Sequence, residues 1–257
     1  MSKDGQGESI KRVMELLWGL AERPRKGPRP RTSVPEIVAA AVRAADGEGL
    51  EALSMRRVAD DVGLSPMALY TYIPGKDELI QLMVDAVQGD AARSSGADGP
   101  PSGDWRARVT AIARRTRAMH LGHPWLAQVA PLSRPLLGPG TLALYEADLR
   151  AIDGIGLSDV QMDAVLTLLA EYVSGATRAT LAQSEAERRS GLSDDAWWEI
   201  SAPLLEKVFD AERYPVAARV GAAAGADLEA AYDPDRAFEF GLARLLDGIA
   251  ALLPPAP

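Results

Sequence analysis

The side chains in this sequence best suited to chemistry are cations and hydroxyls clustered in its first third. Arg56 and Arg57 follow Ser54 at the head of an apolar stretch, and an Arg fork can take guanine O6 and N7 together. Further along, Ser65-Pro66-Met67-Ala68-Leu69-Tyr70-Thr71-Tyr72 mixes hydroxyls for phosphate oxygens with apolar groups for thymine methyls, and Lys76 follows closely. Residues 22–31, ERPRKGPRPR, set Arg23, Arg25, Lys26, Arg29 and Arg31 among prolines that keep a backbone stiff and extended. Such an arm suits a DNA minor groove, and the same composition equally suits a solvated linker.

Catalysis lacks its parts. His120 and His123 are the only histidines, no Ser sits in a G-x-S-x-G turn, and no glycine loop cradles phosphate ahead of a Lys. With no Cys there is no thiolate nucleophile, thiolate metal site or thiol switch. The reading is therefore of a protein that is no enzyme and carries no cofactor and no metal. A second constellation lies in the C-terminal half: Trp105, Arg117, His120, Trp125, Tyr145, Glu171, Tyr172 and Trp198. Large flat side chains without catalytic groups suit a cavity for a flat or bulky organic ligand, although core packing accounts for any one aromatic singly. Glu171, within an apolar run, reads as a buried carboxylate wanting a cation such as Arg117 or Arg178.

The elements that must position the DNA-facing groups are short helices. Ser54 caps a helix whose inner face is Met55, Val58, Ala59 and Val62, Gly63 ends it, and Ser65 with Pro66 opens the next, with Leu69 and Ile73 inward. That is a helix-turn-helix. An amphipathic helix precedes it (Ile37, Val38, Ala41, Val42, Ala45), and a connecting helix follows over residues 79–92. Residues 1–9 are polar and expected to be without order, and residues 10–20 form a short helix that docks on something. Beyond the loop at 93–103, helices are expected over 103–120, 124–130, 141–152, 158–189, 194–211 and 235–252, with 214–225 either helix or loop. No alternating strand pattern occurs.

The run Leu69-Tyr70-Thr71-Tyr72-Ile73-Pro74-Gly75-Lys76-Asp77-Glu78-Leu79, placed after these helices, resembles the close of the DNA-binding motif of the TetR family of transcriptional repressors, over residues 34–83 or so. His123-Pro124-Trp125-Leu126 and Phe238-Glu239-Phe240-Gly241-Leu242 resemble that family's second domain less specifically. The resemblance implies an all-α fold: an N-terminal three-helix helix-turn-helix DNA-binding domain and a larger C-terminal helical domain for ligand binding and dimerisation. It implies a homodimer paired through helices 158–189 and 235–252, a palindromic double-stranded operator, and release by a small-molecule inducer such as an antibiotic or other amphipathic compound. Carried over residue by residue, Met67, Ala68, Thr71 and Tyr72 face bases, Ser54, Tyr70 and Lys76 hold phosphates, and Arg56, Arg57 and Ser65 complete the interface. The alternative is a ligand-independent regulator or architectural protein whose C-terminal half only dimerises.

Charge fits this division. The chain of 257 residues has a net charge of −8, with its positive charge gathered in an N-terminal extension, 1–31. The DNA-binding unit, 32–92, and the remainder, 93–257, are acidic, so a basic appendage would help the acidic unit approach phosphates. No apolar run is long enough to span a bilayer, and the compartment is expected to be the cytoplasm.

Overall fold

The computed structural model describes residues 3–20, 32–94, 103–129, 136–228 and 232–254, and among these there is helix but no strand. Helix α2 (Val34–Glu48) starts at a reciprocal cap. Ser33 Oγ accepts from the Glu36 N–H at 3.4 Å, and the Glu36 carboxylate accepts from the Ser33 N–H at 2.7 Å and the Thr32 hydroxyl at 3.0 Å. The Ser33 hydroxyl above all, then Thr32 and the Ser33 backbone, hold the Glu36 carboxyl below its ordinary pKa. α3 (Met55–Asp61) and α4 (Pro66–Tyr72) begin in the same way: Ser54 Oγ accepts from Arg57 N–H and Ser65 Oγ from Ala68 N–H, each at 3.2 Å. Gly63 between them has φ +67°, a conformation that a side chain would strain, and it lets Leu64 N–H reach back to Ala59 O at 2.9 Å. Ile37, Val58, Leu69, Ile73, Leu79 and Met83 close the core beneath, where α5 (Lys76–Ser94) runs through.

The N-terminal polar residues behave otherwise than expected. α1 spans Lys3–Leu17, so residues 3–9 are helical rather than without order. The apolar stripe of 10–17 docks on α5: Val13 is buried, and Leu16 and Leu17 pack on the first core. Ser9 Oγ–H donates to Glu78 at 2.7 Å, and Trp18 Nε1–H donates to the Leu137 carbonyl at 2.9 Å. Burial of the stripe therefore brings the polar turns ahead of it into the helix.

The second domain contains α6 (Trp105–Gly122), a short 3-10 turn η1 (Pro124–Ala127), α7 (Pro139–Ile152), α8 (Asp159–Ser190), α9 (Asp194–Val208), α10 (Pro215–Leu228) and α11 (Pro234–Ala250). α8 is capped reciprocally by Ser158 and Gln161 and ends at Gly191 in the left-handed region, φ +71°. Val109, Ile112, Ile152, Val165, Leu169, Val173, Phe238 and Leu242 form its core. α9 and α10 bury no residue among those described, and leave Trp197, Ile200, Leu204, Val208 and Val220 open. The stretch left open between helix and loop is thus helical, as α10. No described helix is long and apolar enough to cross a membrane.

Candidate nucleic-acid interface and ligand domain

On α4, Met67 is 77% exposed, and Tyr70 and Thr71 also face outward, with Thr71 Oγ1–H donating to Ala68 O at 2.7 Å. Ala68 is half-buried, and Tyr72 is partly buried against the core, which limits the surface it can offer a base. Ser54 and Ser65 are exposed but already serve as caps. Arg56 is exposed and carries no ion pair among the described residues. Arg57 differs: its guanidinium bonds Glu48 of α2 at 2.9 Å and Asp61 at 3.1 Å, and Asp61 chiefly raises its pKa. Lys76 Nζ donates to the Leu50 carbonyl at 3.0 Å, tying the start of α5 to the loop after α2. Arg25, Lys26, Arg29 and Arg31 lie outside the described residues.

The eight residues assigned to a ligand cavity fall into separate groups. Arg117 and Tyr172 converge on Phe238. The Arg117 guanidinium lies 4.7 Å from the ring centre, and Tyr172 stacks on the same ring at 5.8 Å and 19°. Tyr172 Oη–H donates to the Phe238 carbonyl at 2.5 Å, and burial pushes its phenol pKa up. Arg117 pairs with Asp235 and donates to Thr180 Oγ1 at 3.3 Å, and its Nε is buried with no partner. His120, one turn on, has a buried Nδ1 that also lacks a partner, and burial holds its imidazole below the ordinary range, with the Arg178 cation a smaller cause. Glu171 corrects the sequence reading: it is exposed, and Asp235 rather than Glu171 answers Arg117. α8 turns Val173 and Leu169 inward and so turns Glu171 out.

The other four stand apart. Trp105 edges the second core beneath the Arg106 guanidinium, Trp198 stacks on Trp197 of α9, and Tyr145 Oη–H donates to Asp163 at 2.8 Å on the surface. Trp125 is 1% exposed and packs into the DNA-binding core, its Nε1–H donating to Asp46 at 2.7 Å. That ring fills an interdomain seam.

Two carboxylates that sequence reasoning missed join the domains. Asp46, in the last turn of α2, accepts from Trp125 and also from His123 Nδ1–H at 2.8 Å. Asp85, 7% exposed on α5, accepts the Gly140 N–H at 3.1 Å and the Thr141 N–H at 2.8 Å, so it caps α7 across the seam. The helices cross closely there, and a Cβ on Gly89 would lie 3.3 Å from Gly140 Cα. The one signal in the sequence was an acidic residue on an otherwise apolar helical face.

A helix-turn-helix joined through the Asp85 cap to a larger helical domain defines a class of DNA-binding regulator. Residues 37–83 match the family described as bacterial regulatory proteins, tetR family, and residues 98–253 match the tetracyclin repressor-like C-terminal domain. The chain belongs to the TetR family and is a transcriptional repressor of that kind. HTH-type transcriptional repressor DrrR1 of Streptomyces coeruleorubidus is 44% identical over 250 residues, covering 97% of this chain and 88% of its own. An HTH-type transcriptional regulator of Saccharopolyspora erythraea is 34% identical over 177 residues, covering 67% and 73%. Among solved structures, the TetR family protein ActR of Streptomyces coelicolor in complex with actinorhodin superposes with TM-score 0.71 at 26% identity, covering 90% of this chain and all of that one.

Proposed function

We propose that the chain binds a palindromic operator as a homodimer in the cytoplasm and is released by a flat, amphipathic organic inducer held in its second domain. The observation that carries this is the buried Asp85 cap, which fastens the helix leaving the DNA-binding unit to the N-terminus of α7. A ligand that moves α7 must then move α5, and with it the separation of two recognition helices that successive major grooves require to be about 34–36 Å. Complete release needs the ligand to prefer the released form by about 5.5 kcal/mol. The division into 1–31, 32–92 and 93–257 goes with this reading. Exposed Val160 and Leu168 on α8 and Phe240 on α11 support pairing through helices 158–189 and 235–252. Arg117 and His120, with polar atoms buried and unpartnered, supply the ligand's anchors. Crystal structures of the relative ActR with actinorhodin and with (S)-DNPA support an organic ligand.

The test is footprinting to map the operator, then titration of the protein–operator complex with actinorhodin alongside a thermal-shift measurement. Release from DNA with a raised melting temperature is the expected result. A protein that holds its operator unchanged against actinorhodin and a panel of aromatic antibiotics would favour the ligand-independent regulator.

A further inference from the structure

The last turn of α2 is gripped from three sides. Asp46 holds η1 of the second domain through Trp125 and His123, at 2.7 and 2.8 Å. Glu48 holds α3 through Arg57 at 2.9 Å, and Arg57 returns to Asp61 of the same helix at 3.1 Å. The Leu50 carbonyl just beyond holds the first residue of α5 through Lys76 Nζ at 3.0 Å. Gly49, at φ +83°, ends the helix between these grips, its N–H donating to the Ala45 carbonyl, so all three act on the last turn of α2 and its cap.

We infer that Asp46 is a positioning residue for DNA reading: by clamping η1 to this turn it fixes the angle at which α3 and α4 meet the groove. The inference extends past inducer release and holds with or without an inducer. The two legs of the path differ in strength. The leg to Trp125 ends on a fully buried indole, although the Asp46 carboxylate itself reaches the surface, and truncating Asp46 would take from that N–H its acceptor within the protein. The leg from Glu48 to Arg57 is solvent-facing and weak alone, and acts because both of its ends sit on helices already packed together. Arg56, the neighbour of Arg57, is exposed on α3 and carries no ion pair among the described residues. A small rotation of α3 about this turn therefore moves a base-reading fork.

The test uses the full chain and a duplex that the wild-type protein itself enriches from a random-sequence library. Kd is measured for that duplex and for a scrambled one at one salt concentration, because phosphate contacts weigh on both and cancel in the ratio. Asp46→Ala is expected to lower the selected-to-scrambled ratio by about three- to thirty-fold. It should also expose the Trp125 indole N–H to solvent exchange, followed by NMR with Trp125→Phe assigning the signal. Asp46→Asn, which keeps an accepting oxygen, should recover most of the ratio. With Glu48→Ala added to Asp46→Ala, the loss should fall short of the product of the two single losses, since both cut one path. An unchanged ratio with an exchanging indole N–H, or a double variant whose losses multiply, would overturn the inference. Should Asp46→Ala fail to fold, Trp125→Phe keeps an aromatic, though smaller, ring and removes the donor, and an unchanged ratio there overturns it equally. A wild-type protein that enriches no duplex would overturn the operator reading, and this inference with it.

Discussion

Replacing Asp85 by Ala should destabilise the protein more than a surface change could, by an amount that follows from its bonds. The carboxylate accepts two backbone N–H groups, from Gly140 at 3.1 Å and Thr141 at 2.8 Å. The Thr141 hydroxyl lies 3.1 Å from Asp85 and 2.6 Å from Gln88, and its single proton serves the nearer oxygen, so it adds little. Hydrogen bonds to a charged group contribute about 1.5–3 kcal/mol each, and removing the buried carboxylate also removes its desolvation cost. The net loss for Asp85→Ala is about 2–4 kcal/mol, at or above the upper end for a lost helix cap of about 2 kcal/mol because this carboxylate is buried. For a chain of this size that corresponds to a fall in Tm of about 5–15 °C. Asp85→Asn keeps one accepting oxygen and should lose about half as much. Urea unfolding followed by far-UV circular dichroism reads the change as a shifted midpoint at constant slope. Hydrogen exchange at Gly140 and Thr141 should accelerate in the Ala variant. A midpoint equivalent to less than about 1 kcal/mol of loss, with those amides still slow to exchange, would refute the cap.

Gly140→Ala should be worse tolerated than Asp85→Asn, because its new methyl meets the Asp85 backbone carbonyl, which cannot turn away; a melting curve equal to wild type would refute this. Arg56→Ala should lose about 1–3 kcal/mol on operator DNA and relax specificity, and an equal loss on random DNA would deny it a base contact. Deleting residues 1–31 should flatten the log–log salt dependence of operator binding by about 0.9 per lost phosphate contact relative to deleting 1–21, whereas equal slopes would reduce the segment 22–31 to a linker. Burial lowers the pKa of the His120 imidazole, with the Arg178 cation a smaller cause. The depressed pKa gives stability that is present above the ordinary His range and is lost as pH falls through it. His120→Gln should therefore lessen the drop in Tm between about pH 7 and pH 5, and an identical drop would exclude His120 as its source.

The helix-turn-helix was legible because its signals are local: Ser54, Gly63, Ser65 and Pro66 fix starts and stops within a few residues, and burial of Val58, Leu69 and Ile73 follows from spacing. α1 was misjudged at its polar start because what stabilises it, Glu78 and the α5 surface, is remote in sequence. Asp46 and Asp85 were illegible for the same reason, their partners lying far along the chain. Trp125 was drawn into a ligand cavity by its ring, yet a ring fills a seam as readily as it lines a pocket. Glu171 was read as buried because its neighbours are apolar, whereas a helix gives adjacent residues opposite fates.

The pairing of Arg57 with Glu48 and Asp61, and of Lys76 with Leu50 O, bears on how this protein finds its site. Non-specific attraction along a duplex depends on cations free to replace condensed counterions, and Arg57 and Lys76 are already engaged within the fold. The helix-turn-helix by itself should hold random DNA weakly, slide over short distances, and leave often. Its search would then proceed mainly by repeated encounters from solution, so occupancy of the operator would track the number of molecules in the cell closely.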